Sequence, residues 1–413
     1  MRGFIFFLLL IGLVLPLSSW AQGWTAHLSA HNYLPSFFAV DKSLQQAYLV
    51  NSQDPDHPLS PWRTLICSTG QKDGDKVKKG DLKTPEGVYF IVDKINSGLD
   101  FFEYGNTAFP LNYPNPVDRV RNKTGSGIWI HGRGIPLTPK MTRGCISLHN
   151  AEVDHLDDHV FLHTTPIIIS QNLVCSNATP SRAVAEIAAG TRAWAQAWNQ
   201  GKNFLTRLYD PQRFLLSSGQ HVDTYLQQEL DQKKAHSTWI DLRVRDLHIV
   251  EGPEYMVSAF IQHTMPMDVS GYRRLYWMQK EKHWVIVGEE WVPQGQDSQD
   301  VYMPSYKEMV EQEIQDTLRQ AEQWWAEKKL HHIMRIYAQG AVRGADTGKK
   351  AITQRLQQEM AATANPFAGA MTLEITSQGI AVLQTKAQGP ARKFLFHPGP
   401  QNTWKILAED VHP

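Results

Sequence analysis

Cys145 follows His131 by fourteen positions and stands directly behind Gly144. A thiolate, not a thiol, is the attacking species in cysteine acyl chemistry. A free thiol has a pKa near ~8.5, so only a few per cent is ionised at neutral pH. An imidazole brought beside it can take the proton and leave a reactive ion pair. The segment from His131 to Asn150 has the composition for such a pair, provided the intervening loop folds back. Gly144 lets the backbone approach closely at the cysteine. Backbone N–H groups around Gly144 and Cys145 could then face a developing oxyanion. A buried structural cysteine and a core histidine would use the same two residues, and one of each in a long chain easily coincides.

The elements that must hold these residues are legible nearby. Gly125-Ser126-Gly127-Ile128-Trp129-Ile130 reads as a glycine turn followed by a short buried strand, with His131 at its end. Up to about residue 172 the chain consists of short apolar runs separated by Gly, Pro and Asn turns, the pattern of a mostly-β domain. Asp100 to Arg121 is rich in Asn, Pro, Tyr and Phe and has little periodicity. It reads either as a lid over a groove or as a surface excursion covering a sheet edge.

Three segments carry a resemblance. His131-Gly132 followed by Thr142-Arg143-Gly144-Cys145-Ile146-Ser147-Leu148 resembles the active-site signature of the YkuD-type L,D-transpeptidases. Gly80-Asp81-Leu82-Lys83-Thr84-Pro85-Glu86-Gly87 resembles the family's Thr-Pro-x-Gly segment, and Phe38 to Val50 its opening hairpin. Tyr104-Gly105-Asn106 and Leu111-Asn112-Tyr113-Pro114-Asn115 are similar to the cell-shape L,D-carboxypeptidase branch, which adds a helper domain. Where many members have histidine before the Gly-Cys pair, this chain has Arg143. A guanidinium cannot act as a base there, but it can hold a carboxylate or favour the thiolate. The resemblance implies Cys145 as nucleophile, His131 as base and the Gly132 carbonyl as the group orienting the imidazole. Gly144, Arg143 and Thr142 would serve the oxyanion or the substrate. The substrates implied are peptidoglycan stem peptides, cut between a diamino acid and D-Ala, and no cofactor is expected. The acyl group passes to an amine, or alternatively to water, which trims tetrapeptide to tripeptide. A reading of another class is a non-catalytic wall-binding scaffold.

Beyond a linker at 173–180 the periodicity changes. Ile187, Trp194, Trp198, Phe204 and Leu208 recur near helical spacing, and four strand-like runs follow up to Trp291. This is an α+β pattern resembling a nuclear-transport-factor-like cone, over 181–295. Trp324-Trp325 to Tyr337 echoes Trp198 to Tyr209, and Trp404 to Asp410 echoes Trp284 to Glu290. A second, more divergent copy is expected over 303–413, after a polar hinge from Pro293 to Asp300. Trp194 and Trp198 lie one turn apart on one face and are expected to bury together. The fold class expected is therefore multidomain: a mostly-β catalytic domain over 25–172, then one or two α+β cones.

Export is expected. Arg2 precedes an apolar run from Phe4 to Leu15, too short for a comfortable span, and Ser19-Trp20-Ala21 offers a cleavage point. Residues 1–21 thus read as a signal peptide, placing the protein in the periplasm with no stable membrane span after cleavage. The 413 residues carry 41 acidic and 41 basic side chains, and no basic stripe points to nucleic acid. Three cysteines leave at least one thiol free, and Cys67 and Cys175 either pair or are two separate apolar cysteines. His155, His159 and His163 are spaced for one helix face, as zinc ligands would be. Proline and a strand-like run begin straight after them, so no metal site is expected. Oligomeric state is not encoded in any of these patterns.

Overall fold

A computed structural model describes residues 23–29, 36–51, 61–156, 159–176, 181–235, 237–267, 269–293, 306–361, 365–385, 391–399 and 403–411. The expected signal peptide and most of the hinge lie outside the described residues. The first unit holds strands β1 (Thr25–Ser29), β2 (Ser36–Asp41), β3 (Gln46–Asn51), β4 (Pro61–Ile66) and β5 (Gly87–Phe90). Helix α1 (Phe101–Tyr104), β6 (Ala108–Pro110) and α2 (Pro116–Val120) follow. Then come β7 (Trp129–His131), β8 (Ile146–Ser147), α3 (Asn150–Leu156), β9 (Pro166–Ser170) and β10 (Asn172–Ser176). Five strands form one sheet in the order β4-β3-β2-β9-β5, and β6-β7-β8 form a second. β10 pairs in parallel with β1, Thr25 against Asn172, where the sequence alone reads a linker.

Alternation along the large sheet explains the layers. Phe38, Val40, Tyr89, Ile167 and Ile169 point into a core shared with Ile130 and Ile146 of the small sheet. Phe37, Ala39, Val88, Phe90 and Ile168 point the other way, into a second core. Burial on both faces is why these strands read as continuous apolar runs.

That second core is completed by the next unit. Helices α4 (Arg182–Gln200), α5 (Lys202–Thr206), α6 (Pro211–Ser218) and α7 (Val222–Lys234) lead into β11 (Asp241–Gly252), β12 (Tyr255–Met265), β13 (Val269–Lys280) and β14 (His283–Pro293). The four strands make an antiparallel meander. Met256, Phe260, Leu275 and Trp277 face the helices, with Trp194 and Trp198. Tyr255, Val257, Tyr276 and Val287 face the catalytic unit.

A third α+β unit holds α8 (Tyr306–Ala326), α9 (Leu330–Ile333), β15 (Tyr337–Arg343), β16 (Asp346–Thr347), α10 (Gly348–Ala361), β17 (Ala370–Thr376), β18 (Gly379–Thr385), β19 (Arg392–Pro398) and β20 (Trp404–Val411). Its sheet runs β16-β15-β20-β19-β18-β17. The fold is thus mostly-β and multidomain, with two α+β units behind the first. Among the described residues no helix is long and apolar enough to cross a membrane.

Candidate active site

β7 and β8 pair in parallel, Ile130 against Ile146 and His131 against Ser147. The two isoleucines enter the core. By alternation, Trp129 and His131 turn to the opposite face, and the register extended by one residue sets Cys145 beside Trp129. Tyr104 of α1 lies over this face. Its ring centroid is 5.2 Å from that of His131 and 5.4 Å from that of Trp129. Its phenol also senses the charges of Cys145 and Arg143. The loop after His131 therefore does fold back, bringing thiol and imidazole to one face under a common aromatic neighbour.

The imidazole is oriented from behind. His131 Nδ1 lies 2.7 Å from the carbonyl of Gly132, which can only accept, so Nδ1 carries the proton and Nε2 keeps its lone pair. Gly132 leaves room for Asn150, since a Cβ there would overlap Asn150 Oδ1 and displace that side chain. Asn150 also accepts the Asn106 N–H at 3.4 Å, tying the aromatic strap to the histidine loop. Two further backbone bonds do the same, from Gly132 to Thr107 O at 3.2 Å and from Gly134 to Phe101 O at 3.0 Å.

The thiol turn is fixed just as closely. Gly144 has φ +136°, and a Cβ on it would stand 2.8 Å from Lys83 O, in the segment that precedes Thr84-Pro85. Thr142 Oγ1 donates to Cys145 O at 2.7 Å and accepts the Gly144 N–H at 3.1 Å. Thr142 is thus a buried clamp on the turn, and the Gly144 N–H expected at an oxyanion is occupied in this state. Arg143 is exposed, and among the described residues its guanidinium has no hydrogen bond or ion pair.

Electrostatics set the resting protonation. Burial is the main cause that lowers the His131 pKa to about 4, and Arg133 adds to it. The Gly132 carbonyl and Glu103 pull the other way. Burial raises the Cys145 thiol above its usual value, against the backbone N–H of Trp129 and the charge of Lys76. The thiol donates to Gly127 O at 3.4 Å, and among the described residues no hydrogen bond joins it to the imidazole. The resting pair is neutral, so the ion pair envisaged from sequence is not preformed. A neutral imidazole with a free Nε2 is competent as a general base, and such contacts often tighten only with substrate.

Other candidates fall elsewhere. His155 lies in the last turn of α3, whereas His163 sits in a left-handed turn at φ +66°, so the histidine ladder does not share a helix face. Among the described residues no group of three metal-ligating side chains gathers. Cys67 and Cys175 are free thiols, the first buried and pushed up to about 12 by that burial. The segment 100–121 is neither lid nor excursion alone. Its first half carries Tyr104, and its second half binds the first cone. Asn112 Nδ2 donates to Tyr276 OH at 3.0 Å and to Glu290 Oε2 at 2.9 Å. Asn150 lies beside the histidine loop although sequence reasoning gave it no role, and Tyr104 was quoted there only as part of a segment similar to the cell-shape branch. The signal for Asn150 was indirect, in the paired glycines 105 and 132 that make room for it.

A thiol and an oriented imidazole thus share one face of the small sheet beside Tyr104. Residues 35–169 match the model of the YkuD family, the L,D-transpeptidase catalytic domain. Among solved structures, Bd1075 of Bdellovibrio bacteriovorus is 25% identical, with a TM-score of 0.52 over 65% of this chain and 99% of that one. Pgp2 of Campylobacter jejuni, described as a helical cell shape determining protein, is 23% identical with a TM-score of 0.45, covering 63% of this chain and 95% of its own. A member of the NTF2-like family from Streptomyces avermitilis is 12% identical with a TM-score of 0.24, covering 28% of this chain and 99% of its own. No curated protein matches the chain.

Proposed function

We propose that this protein is an exported peptidoglycan-remodelling enzyme in which Cys145 attacks the bond between the diamino acid and D-Ala of tetrapeptide stems. The observation that carries this reading is the shared face of β7 and β8, where Cys145 and the Nδ1-protonated His131 lie under Tyr104. In acylation His131 Nε2 takes the thiol proton as the S–C bond forms. It then gives that proton to the leaving amine as the C–N bond breaks. The backbone N–H groups of the Gly144–Cys145 turn are the oxyanion donors, Gly144 by exchanging Thr142 Oγ1 for the oxyanion. Arg143 offers an unpaired cation to a substrate carboxylate.

An amine then displaces the thiolate and forms a cross-link. Water in its place yields tripeptide. Residues 1–21 serve as the export signal, 25–172 as the catalytic domain, and 181–295 and 303–413 as two cones of one type.

Incubating the chain with disaccharide tetrapeptide and separating the products tests this reading. Dimers joined between the third residues mark transfer, and tripeptide alone marks hydrolysis. Cys145→Ala should lower turnover at least ~1,000-fold, and His131→Gln about 100- to 10,000-fold. Unchanged turnover in Cys145→Ala rejects the mechanism. Wall binding without labelling of Cys145 by a carbapenem would favour the scaffold instead. The depressed His131 pKa gives a pH signature: kcat/KM should hold down to about pH 5 and fail near 4, not near 6.5. Stability has the same sign. The unfolded chain binds this proton more readily, so stability falls as pH drops from 6.5 towards about 4.

A further inference from the structure

The turn between β2 and β3 ends at Gln45, whose φ is +54°. Lys140, in the loop that returns to the thiol, has φ +56°. Glycine or asparagine suits that conformation better than either residue. The two strained residues meet at one atom, since the Lys140 N–H donates to Gln45 Oε1 at 2.9 Å. The same oxygen accepts the Thr69 N–H at 3.0 Å. Gln45 Nε2 donates to Lys42 O at 2.7 Å and to Thr69 Oγ1 at 2.6 Å. A primary amide has two acceptor sites and two donor hydrogens, and here all of them are used. The residue is only 6% exposed. Backbone strain persists where surrounding contacts over-determine it, and functional sites are its usual setting.

From Gln45 the bonds run on to the thiol. The Thr142 N–H donates to Thr69 O at 3.0 Å, and the Gln71 N–H donates to Thr142 O at 3.0 Å. Thr142 Oγ1 in turn holds the Gly144 N–H and the Cys145 carbonyl. Lys42, at the other end of the same hairpin turn, grips the opposite flank. Its Nζ donates to Gly74 O at 2.8 Å and to Thr84 O at 3.0 Å, and Gly144 lies against the neighbouring Lys83 O. The segments on both flanks are irregular, so their anchor must come from side chains, and the hairpin of the large sheet supplies it. We infer that Gln45 is a positioning residue. Acting through Thr69, Lys140 and Thr142, it fixes the backbone N–H groups of the Gly144–Cys145 turn where the oxyanion forms. This inference deepens the proposed reading and rests on it. Attack on a carbonyl moves charge onto its oxygen, and donors placed beforehand at that point stabilise it. Alkylation of the same thiolate develops no oxyanion and makes no use of those donors.

The test compares two reactions of Cys145, acylation by a carbapenem and alkylation by iodoacetamide, with turnover of disaccharide tetrapeptide alongside. Wild type, Gln45→Asn, Gln45→Glu and Gln46→Ala are assayed as full chains. Asparagine suits the left-handed turn but is one methylene too short to reach Thr69 and Lys140. Gln45→Asn should slow acylation and lower kcat about 10- to 100-fold, the scale of a small misplacement at a reacting centre. KM and the alkylation rate should stay within about 3-fold of wild type, because neither binding nor the thiol itself is touched. Gln45→Glu keeps the reach and both acceptor bonds, and should recover part of the loss. Gln46→Ala removes the adjacent amide, which accepts the Tyr48 hydroxyl, and should match wild type in both reactions. Should Gln45→Asn fail to fold, Thr69→Val deletes one acceptor of the amide from the other side, and its acylation should fall while alkylation holds. Unchanged acylation, an equal fall in acylation and alkylation, or a Gln45→Glu variant as slow as Gln45→Asn overturns the assignment. A wild type that neither carbapenem nor tetrapeptide acylates removes the proposed reaction itself, an outcome recognisable because iodoacetamide still labels the thiol.

Discussion

The two α+β units are built around the same knot, yet one is buried on both sides of its sheet and the other is not. In the first, Tyr209 OH donates to Glu289 at 2.8 Å, and Arg273 closes on the same carboxylate. In the second, Tyr337 OH donates to Glu409 at 2.6 Å, and Arg343 and Arg392 close on it. The backbone agrees: Ile286 N–H reaches Leu208 O at 2.8 Å, and Ile406 N–H reaches Ile336 O at 2.7 Å. Outside this knot they diverge. β12 is apolar on both faces, because its outer face is the floor under the catalytic sheet. β19 alternates buried Phe394 and Phe396 with exposed Lys393 and half-exposed Leu395. The two units share an internal Tyr–Glu–Arg cluster and differ in sheet size and in what covers the outer face.

The largest effects should come from breaking the knots. Glu289→Gln leaves Arg273 buried with Glu229 at 3.7 Å as its remaining carboxylate. Glu409→Gln strips two arginines at once, though Glu359 still reaches both. Removing one partner of a buried ion pair costs about 3–5 kcal/mol. The two variants should differ in what melts. Calorimetry of Glu289→Gln should lower the transition that also exposes Cys145 to alkylation, since the first cone completes the core behind the catalytic sheet. Glu409→Gln should lower a separate transition and leave Cys145 protection unchanged. A single shared transition in both variants would mean that the third unit is as tightly coupled as the second.

This asymmetry also marks what the sequence could reveal. Tyr255-Met256-Val257-Ser258-Ala259-Phe260 is strand-like without clean alternation, and the reason is its second partner rather than any weakness of pattern. In both units a Tyr and a distant Glu are tied by one hydrogen bond, Tyr209 to Glu289 and Tyr337 to Glu409. Of the candidate site, the strand end at His131 and the close backbone contacts at Gly132 and Gly144 were legible because they restrict residue type. The resting protonation was not, because burial and the Arg133 field arise only in the folded chain. Nor was the pairing of β1 with β10, a contact between residues 25–29 and 172–176 that no local pattern encodes. The double use of segment 100–121 escaped for the same reason. Asn112 accepts Phe90 N–H at 2.8 Å while bonding the neighbouring unit, and neither partner is close in sequence.

An intermediate effect is expected at the polar contacts between the catalytic unit and the first cone. Tyr255 OH accepts the Val88 N–H at 2.7 Å, with Asn115 Nδ2 at 3.4 Å. Both groups it meets are buried. Tyr255→Phe keeps the ring and leaves a buried donor unpaired, at a cost of about 1–3 kcal/mol. Because the lost bond crosses between units, urea unfolding should show the loss in the transition that the two units share. A loss confined to the cone would argue that they unfold independently.

The smallest effect sharpens the contrast most, because it puts the same residue type at comparable positions. Val257 lies on the outer face of β12, paired with Tyr276 across the strands and sealed against the catalytic unit. Leu383 lies on the outer face of β18, paired with Lys393, and is 41% exposed. Val257→Thr puts a hydroxyl into an apolar contact with no partner provided, costing about 1–3 kcal/mol. Leu383→Thr trades an exposed leucine for a residue that also suits strands, so its effect should stay within about 0.5 kcal/mol. Denaturant midpoints of the two variants give the comparison directly. Should Leu383→Thr prove as damaging as Val257→Thr, the outer face of the second cone must itself be covered in solution, and the difference between the two copies would lie in which partner each one carries.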